Sequence, residues 1–311
     1  MVPQAIGIGW VKLLGDLERK KQRAVRRQVG IPNLNLRRLA DAKSSDTVFI
    51  LGSGSSIRHF TSDHFEILRR NDSLGINFWI AHPFVPTYYL FYPGGYSTKM
   101  GFDLLPTEIE ERDADYARVV KIVTYHHQRN ISFLQDLPLS FRSNLWAAER
   151  HFTFARSEQE LIRALKRLDK KGVFTGPAAI DADLRLFKYG TSLSAAVSMA
   201  ALLEYQHIVL CGVDLTDSRY FYQDREHYPQ LAYFSGTGEV NRESPHQTNV
   251  RVSPLMLSVT ETLRSLHASV LAPRGIQLSV ANSTSALFED FPLYVEQGWL
   301  DPTAPGDGIS E

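Results

Sequence analysis

His246 lies in the run Pro245-His246-Gln247-Thr248-Asn249, and an imidazole is a residue type that can take a proton from a hydroxyl. His126 and His127 beside Arg129, and His227 in a polar stretch, compete for that role, and each also fits a structural or surface ring. Thr191-Ser192 is a small hydroxyl pair ahead of the alanine-rich run Ser194–Leu203. A helix start of this kind presents unpaired backbone N–H groups and the positive end of a dipole, which suit an anion. It is equally an ordinary N-cap, and a capping serine can also hold a ligand. The apolar run Ile208–Gly212 then leads to Gly212-Val213-Asp214, a carboxylate at a strand end, where open α/β sheets bind ligands. A nucleotide phosphate near Ser192 and a ribose near Asp214 fit that arrangement.

Two further pieces belong to the same chemistry. Gly52-Ser53-Gly54-Ser55-Ser56 follows an apolar run, so the backbone can approach a ligand closely and the serines add donors. Ile57 and Arg58 stand where a dinucleotide fingerprint has its third glycine, and the Gly-Lys-Ser/Thr of a P-loop is missing, so the loop also reads as a plain βα turn. Asn77, after Leu74-Gly75-Ile76, carries an amide that can donate and accept toward a ligand, or simply form a turn. Two Asp-x-Asp triplets, Asp113–Asp115 and Asp181–Asp183, are of a type that holds a divalent metal elsewhere. The first is crowded by Glu108, Glu110, Glu111, Arg112 and Arg118 and reads as a solvated face, and no His/Glu zinc motif occurs, so no metal is expected.

These residues need a scaffold of alternating strands and helices. Strands are expected at Thr47–Leu51, Leu74–Asn77, Tyr88–Tyr92, Val119–Thr124, Ile208–Gly212 and Ala268–Leu271. Helices are expected near Asp63–Arg70, Glu158–Leu168, Ser194–Leu203 and Pro254–Leu266. The alternation implies an α/β fold with a mostly parallel, Rossmann-like sheet and helices on both faces. Residues 217–245 are polar, aromatic and without period, which marks a functional loop or lid. The expected organisation is a basic helical segment at 1–46, a nucleotide-binding domain at 47–300 that carries the lid, and a disordered tail at 301–311.

Composition limits the rest. The chain has 311 residues with a formal net charge of zero, so it is not a general binder of polyanions such as nucleic acids. Its single cysteine, Cys211, excludes a disulfide framework or a cysteine metal cluster within one chain. No apolar run is long enough to span a membrane and no signal peptide is evident, so a cytoplasmic location is expected. The basic segment carries Arg19, Lys20, Lys21, Arg26 and Arg27 around a partial apolar stripe. It fits either an anionic inner-membrane surface or a helix packed on the domain or on a second subunit.

Taken in order, the pieces resemble the bacterial sialyltransferases of glycosyltransferase family 42. The likeness runs through Phe49-Ile50-Leu51-Gly52-Ser53-Gly54-Ser55-Ser56-Ile57, then Gly75-Ile76-Asn77, then Thr191-Ser192 to Gly212-Val213-Asp214, then His246-Gln247-Thr248-Asn249, and ends near Leu271-Ala272-Pro273. The matches are sparse but span most of residues 47–275. The resemblance implies a CMP-sugar donor, inverting transfer to a glycan hydroxyl, and no metal or other cofactor. His246 matches the general base, and Ser192, with Thr191 beside it, a residue that holds the donor's phosphate or carboxylate. Gly52, Ser53, Gly54, Ser55 and Asn77 match the nucleotide side, and Gly212 and Asp214 the ribose side. Asn249 follows the base within the same motif.

The chain also departs from the family pattern. Two tyrosines are expected after the Gly-x-Asp strand to bond the leaving phosphate. Thr216 stands at the first, and Tyr220 and Tyr222 are both candidates for the second. Phe91-Tyr92-Pro93-Gly94 stands where an asparagine is expected, and Lys188-Tyr189 stands where an arginine is, with Arg185 further back. Sialic acid, another nonulosonic acid and a shorter 3-deoxy-ulosonic acid all remain open as the donor sugar. Lipopolysaccharide, capsule and glycoprotein acceptors suit an inner-face enzyme, and relatives are often homo-oligomers. Two other readings stand beside this one: a pterin pyrophosphokinase-like enzyme using ATP and Mg²⁺, and a non-catalytic nucleotide-binding relative.

Overall fold

The computed structural model describes residues 8–93, 105–124, 131–151, 153–175, 185–216, 218–229, 231, 246–251 and 256–304. In chain order the helices are α1 (Ile8–Val29), α2 (Leu36–Asp41), α3 (Ser62–Arg69), α4 (Leu105–Arg112), α5 (Ile131–Asp136), α6 (Leu139–Arg142), α7 (Glu158–Asp169), α8 (Ser192–Leu202) and α9 (Val259–Leu266). The strands are β1 (Thr47–Leu51), β2 (Asp72–Ile76), β3 (Tyr88–Phe91), β4 (Val120–Val123), β5 (Leu145–Ala147), β6 (Glu149–His151), β7 (Arg185–Phe187), β8 (His207–Cys211) and β9 (Gln277–Val280). Seven of the strands form one sheet in the order β5-β4-β3-β2-β1-β8-β9, and every pairing in it is parallel. Strand order reverses between β1 and β8, so the crevice above their C-terminal ends is the topological switch point at which open α/β sheets bind ligands.

The strands read as nearly continuous apolar runs because both faces of the sheet are covered. Val48, Ile50, Leu74, Leu90 and Ile122 pack with α2, α7, α8 and α9, while Phe49, Leu51, Tyr89, Phe91 and Val123 pack with α1, α3, α4 and α6 on the opposite face. α8 is buried on every side, from Ser192 to Leu202. Its alanines allow a close approach to the sheet and to α9. Its serines avoid a desolvation penalty through local bonds: Ser194 Oγ accepts from Tyr189 N at 2.9 Å and Ser198 Oγ from Phe187 N at 3.1 Å.

The last strand lies later than the sequence suggests. Ala268–Leu271 continues α9 as a wide helical turn, a short helical turn follows, and the chain passes through Gly275 (φ +70°) into β9. A short buried apolar run has the same pattern in a helix as in a strand, and here the glycine that ends the helix decides between them. β6 and β7 form a separate two-stranded parallel ribbon that their charged residues conceal in the sequence.

The segment before Asp46 shares the domain's cores and does not stand outside them. Val25, Val29, Ile31, Leu34, Leu36 and Leu39 are buried. Ala147 N donates to Pro32 O at 2.9 Å and Leu34 N donates to Ala147 O at 2.8 Å, so residues 32–34 cover the β5 edge of the sheet. Among the described residues, no helix is long and apolar enough to cross a membrane. His126, His127, Arg129, Asp181–Asp183, most of the expected lid and the tail beyond Ala304 lie outside the described residues.

Candidate functional site

The glycine loop leaves the C-terminal end of β1 and runs against the end of β8. Gly52 N donates to Cys211 O and Gly54 N to Gly212 O, both at 2.7 Å. A Cβ at Gly54 would overlap the Asp214 carboxylate and the Gly212 carbonyl, so only glycine permits this approach. Gly212 itself has φ +61°, and a Cβ there would lie 2.7 Å from Ile57.

Asp214 is turned inward onto this loop. Its carboxylate accepts from Ser56 N at 2.9 Å, from Ser56 Oγ at 2.5 Å and from Asn282 Nδ2 at 3.4 Å. The side chain therefore braces the loop, its oxygens serving a buried serine and an amide. Asn282, just after β9, also donates to Ser56 Oγ at 3.1 Å. It was missed in the sequence, although an amide directly after a strand is the signal that singled out Asn77.

Asn77 adopts φ +51°, a left-handed conformation that asparagine tolerates better than most residues. Its Oδ1 accepts from Ser192 Oγ at 3.3 Å, and its carbonyl accepts from the Tyr89 hydroxyl. Ser192 is the first residue of α8, and the Thr191 side chain makes no capping bond to the helix. The first turn of α8 thus meets the end of β2.

The segment after β8 returns across the glycine loop. Phe221 N donates to Ser53 O at 3.0 Å, and Tyr220 forms an antiparallel bridge with Gly54. Tyr220 and Tyr222 stack with ring centres 5.1 Å apart, and Tyr222 meets Phe78, the neighbour of Asn77, at 5.3 Å. Arg58 fastens this segment from the loop side by donating to Tyr220 O at 3.2 Å. Thr216 is exposed at the start of the segment.

Tyr220 Oη and His246 Nε2 are 2.9 Å apart. On the other side of the ring, Nδ1 lies 2.7 Å from Thr248 Oγ1 and accepts from Thr248 N at 3.2 Å. The backbone N–H favours the tautomer with its proton on Nε2, donating to Tyr220. The Thr248 hydroxyl supports either tautomer, because it can donate or accept. Burial holds the Tyr220 phenol above its ordinary pKa, so it is a neutral O–H at physiological pH. His246 N donates to Leu215 O at 3.1 Å, and Leu215 has φ +59°, a costly conformation for a leucine and of the kind that collects at functional sites. Asn249 anchors the other end: its N–H donates to His246 O at 2.7 Å and its Oδ1 accepts from Thr260 Oγ1 of α9 at 2.6 Å.

Ser192, Asn77, Tyr222, Tyr220, His246, Gly54 and Asp214 therefore form one continuous rim. Ser192 touches Asn77, Asn77 adjoins the Phe78–Tyr222–Tyr220 stack, Tyr220 reaches both His246 and Gly54, and Gly54 lies on Asp214. The rim offers an imidazole, two phenols, hydroxyls and backbone donors around the switch point. Among the described residues, no group of three or more His, Cys, Asp or Glu side chains gathers as a metal site.

No protein-family model matches the chain, and no curated protein matches its sequence. Among solved structures, the chain is similar to the monofunctional alpha-2,3-sialyltransferase Cst-I from Campylobacter jejuni, with 14% identity and a TM-score of 0.43 over 80% of each chain. It is also similar to monomeric CstII, with 14% identity and a TM-score of 0.38 over 79% of this chain and 85% of that one.

Proposed function

We propose that the protein is a glycosyltransferase that moves an acidic sugar from a CMP-sugar to a glycan hydroxyl with inversion. The observation that carries this reading is the Tyr220–His246 pair held 2.9 Å apart and bridged to the glycine loop at Gly54, which supports a proton acceptor beside a crevice suited to an anion. The cytidine lies along the loop after β1. Its phosphate faces the first turn of α8 and the N–H groups of the loop, where charge that develops on departing CMP is stabilised.

The acceptor oxygen attacks the anomeric carbon from the face opposite the phosphate. The carbon–oxygen bond to CMP breaks, and the hydroxyl proton passes to Nε2 of His246. For this step Nδ1–H donates to Thr248 Oγ1, leaving the Nε2 lone pair open. The acceptor hydroxyl takes the place that Tyr220 Oη holds in the free chain, and the phenol turns its proton to the leaving phosphate. Residues 217–245 close over the donor and exclude water. The reaction as written uses no metal ion.

Incubation with a panel of CMP-sugars and measurement of CMP release tests this reading. The His246→Ala variant is expected to lose turnover by about 10²–10⁴-fold while still binding CMP. Undiminished turnover in that variant removes His246 from the base role.

A further inference from the structure

The rim does not end at Asn77. Beyond it lie the ends of β3 and β4, and over them sits a cation that the proposed transfer step does not use. Lys188 follows β7 and precedes the first turn of α8 by one short loop. Its Nζ donates to Thr124 Oγ1, directly after β4, at 3.1 Å, and lies 4.5 Å from the ring centre of Tyr92, directly after β3. Thr124 is buried, whereas Lys188 and Tyr92 are half-buried. Among the described residues, no carboxylate lies within ion-pair distance of Lys188. Neighbouring strands are about 4.8 Å apart, so the ends of β3 and β4 lie about 5–10 Å from Asn77 along the rim. That is the reach of a sugar ring whose phosphate sits at Ser192 and Asn77.

We propose that Lys188, held by Thr124 and Tyr92, binds the carboxylate of the donor sugar and so selects acidic sugars. This rests on the CMP-sugar reading of the same rim and adds to it the residue that reads the sugar's charge. A lysine can do this as a point charge with three donors, of which Thr124 takes one. The Tyr92 ring face supports the cation without neutralising it.

The electrostatics agree with a site built for an anion. Burial, and then the nearby Arg150 of β6, lower the Lys188 ammonium to about 7. Arg150 is paired with Glu18 of α1 at 3.8 Å, and Tyr92 is the other titratable group against the lysine. A carboxylate that arrives beside Nζ favours the charged form, so the donor binds together with a proton. Affinity for a carboxylated donor is therefore highest below about pH 7 and falls as pH rises through that value, since the lysine must then be recharged. CMP alone, which stops short of Lys188, follows no such profile.

The test compares wild type with Lys188→Met and Lys188→Arg, after thermal melts confirm that each folds. Three quantities are measured: CMP affinity, KM for carboxylated and uncharged CMP-sugars, and KM for neutral and anionic acceptors. Lys188→Met is expected to raise KM for the carboxylated donor by about 10–100-fold, with CMP affinity unchanged, the preference over uncharged donors reduced, and the rise in KM above pH 7 abolished. Lys188→Arg is expected to retain the preference and move its loss to higher pH. An unchanged donor KM in Lys188→Met overturns the proposal, and so does a penalty that follows the charge of the acceptor. Failure of wild type to bind CMP is a different result and removes the transferase reading itself.

Discussion

At the scale of single residues, the proposed chemistry rests on side chains that the fold has already paired. His246 is fixed from both sides, by Thr248 at Nδ1 and by Tyr220 at Nε2, so its ring orientation is set before any ligand arrives. Asp214 shows what residue type leaves unread. Its place after β8 is visible in the sequence, but its bonds to Ser56 and Asn282, which brace the glycine loop, are not. The brace makes a stability prediction. Asp214→Asn loses the charge from two short hydrogen bonds and sets an amide against the Ser56 N–H. The expected cost is about 2–3 kcal/mol, read as a lower urea midpoint, together with weaker CMP binding. An unchanged midpoint would place the loop's stability elsewhere.

At the scale of elements, the nearly continuous burial of β1, β2, β3, β4 and β8 and the small-residue run of α8 were legible because both follow from burial on two faces. Several elements escaped, β5 and β9 among them. Ala268–Leu271 is an apolar run too short for its period to distinguish strand from helix, and β6 and β7 are three-residue strands that contain charged residues and pair only with each other. α1 illustrates a third difficulty. Its basic residues fit a membrane surface as well as a helix packed on the domain, and the contacts decide for packing: Val25 and Val29 reach the core, Gln22 is buried, and Arg23 donates to the buried Glu149 at 3.0 Å. The six buried apolar side chains between Val25 and Leu39 contribute roughly 1.5–3 kcal/mol each. That total is comparable to the whole stability of a typical domain, about 5–15 kcal/mol. Deletion of residues 1–46 is therefore expected to give an aggregating chain without a cooperative melt. A soluble, fully folded truncation would show that α1 and α2 are peripheral after all.

At the scale of the molecule, the order of the motifs carried more information than any one of them. Glycine loop, asparagine, hydroxyl pair, Gly-x-Asp and histidine are far apart in the chain. The parallel sheet gathers them because its strands all end on the same side, with the order reversing between β1 and β8. What the sequence could not give was the set of contacts among them: the Tyr220–Gly54 bridge, the Tyr220–His246 bond, and Lys188 over the ends of β3 and β4. These depend on how loops from different strands cross, which no local pattern encodes. The central claim is that this rim is shaped for cytidine monophosphate, and isothermal titration of the full chain tests it most directly. CMP is expected to bind at one site per chain in the micromolar range, with ATP and Mg²⁺ giving no comparable heat. Binding of ATP with Mg²⁺ but not CMP would contradict the account.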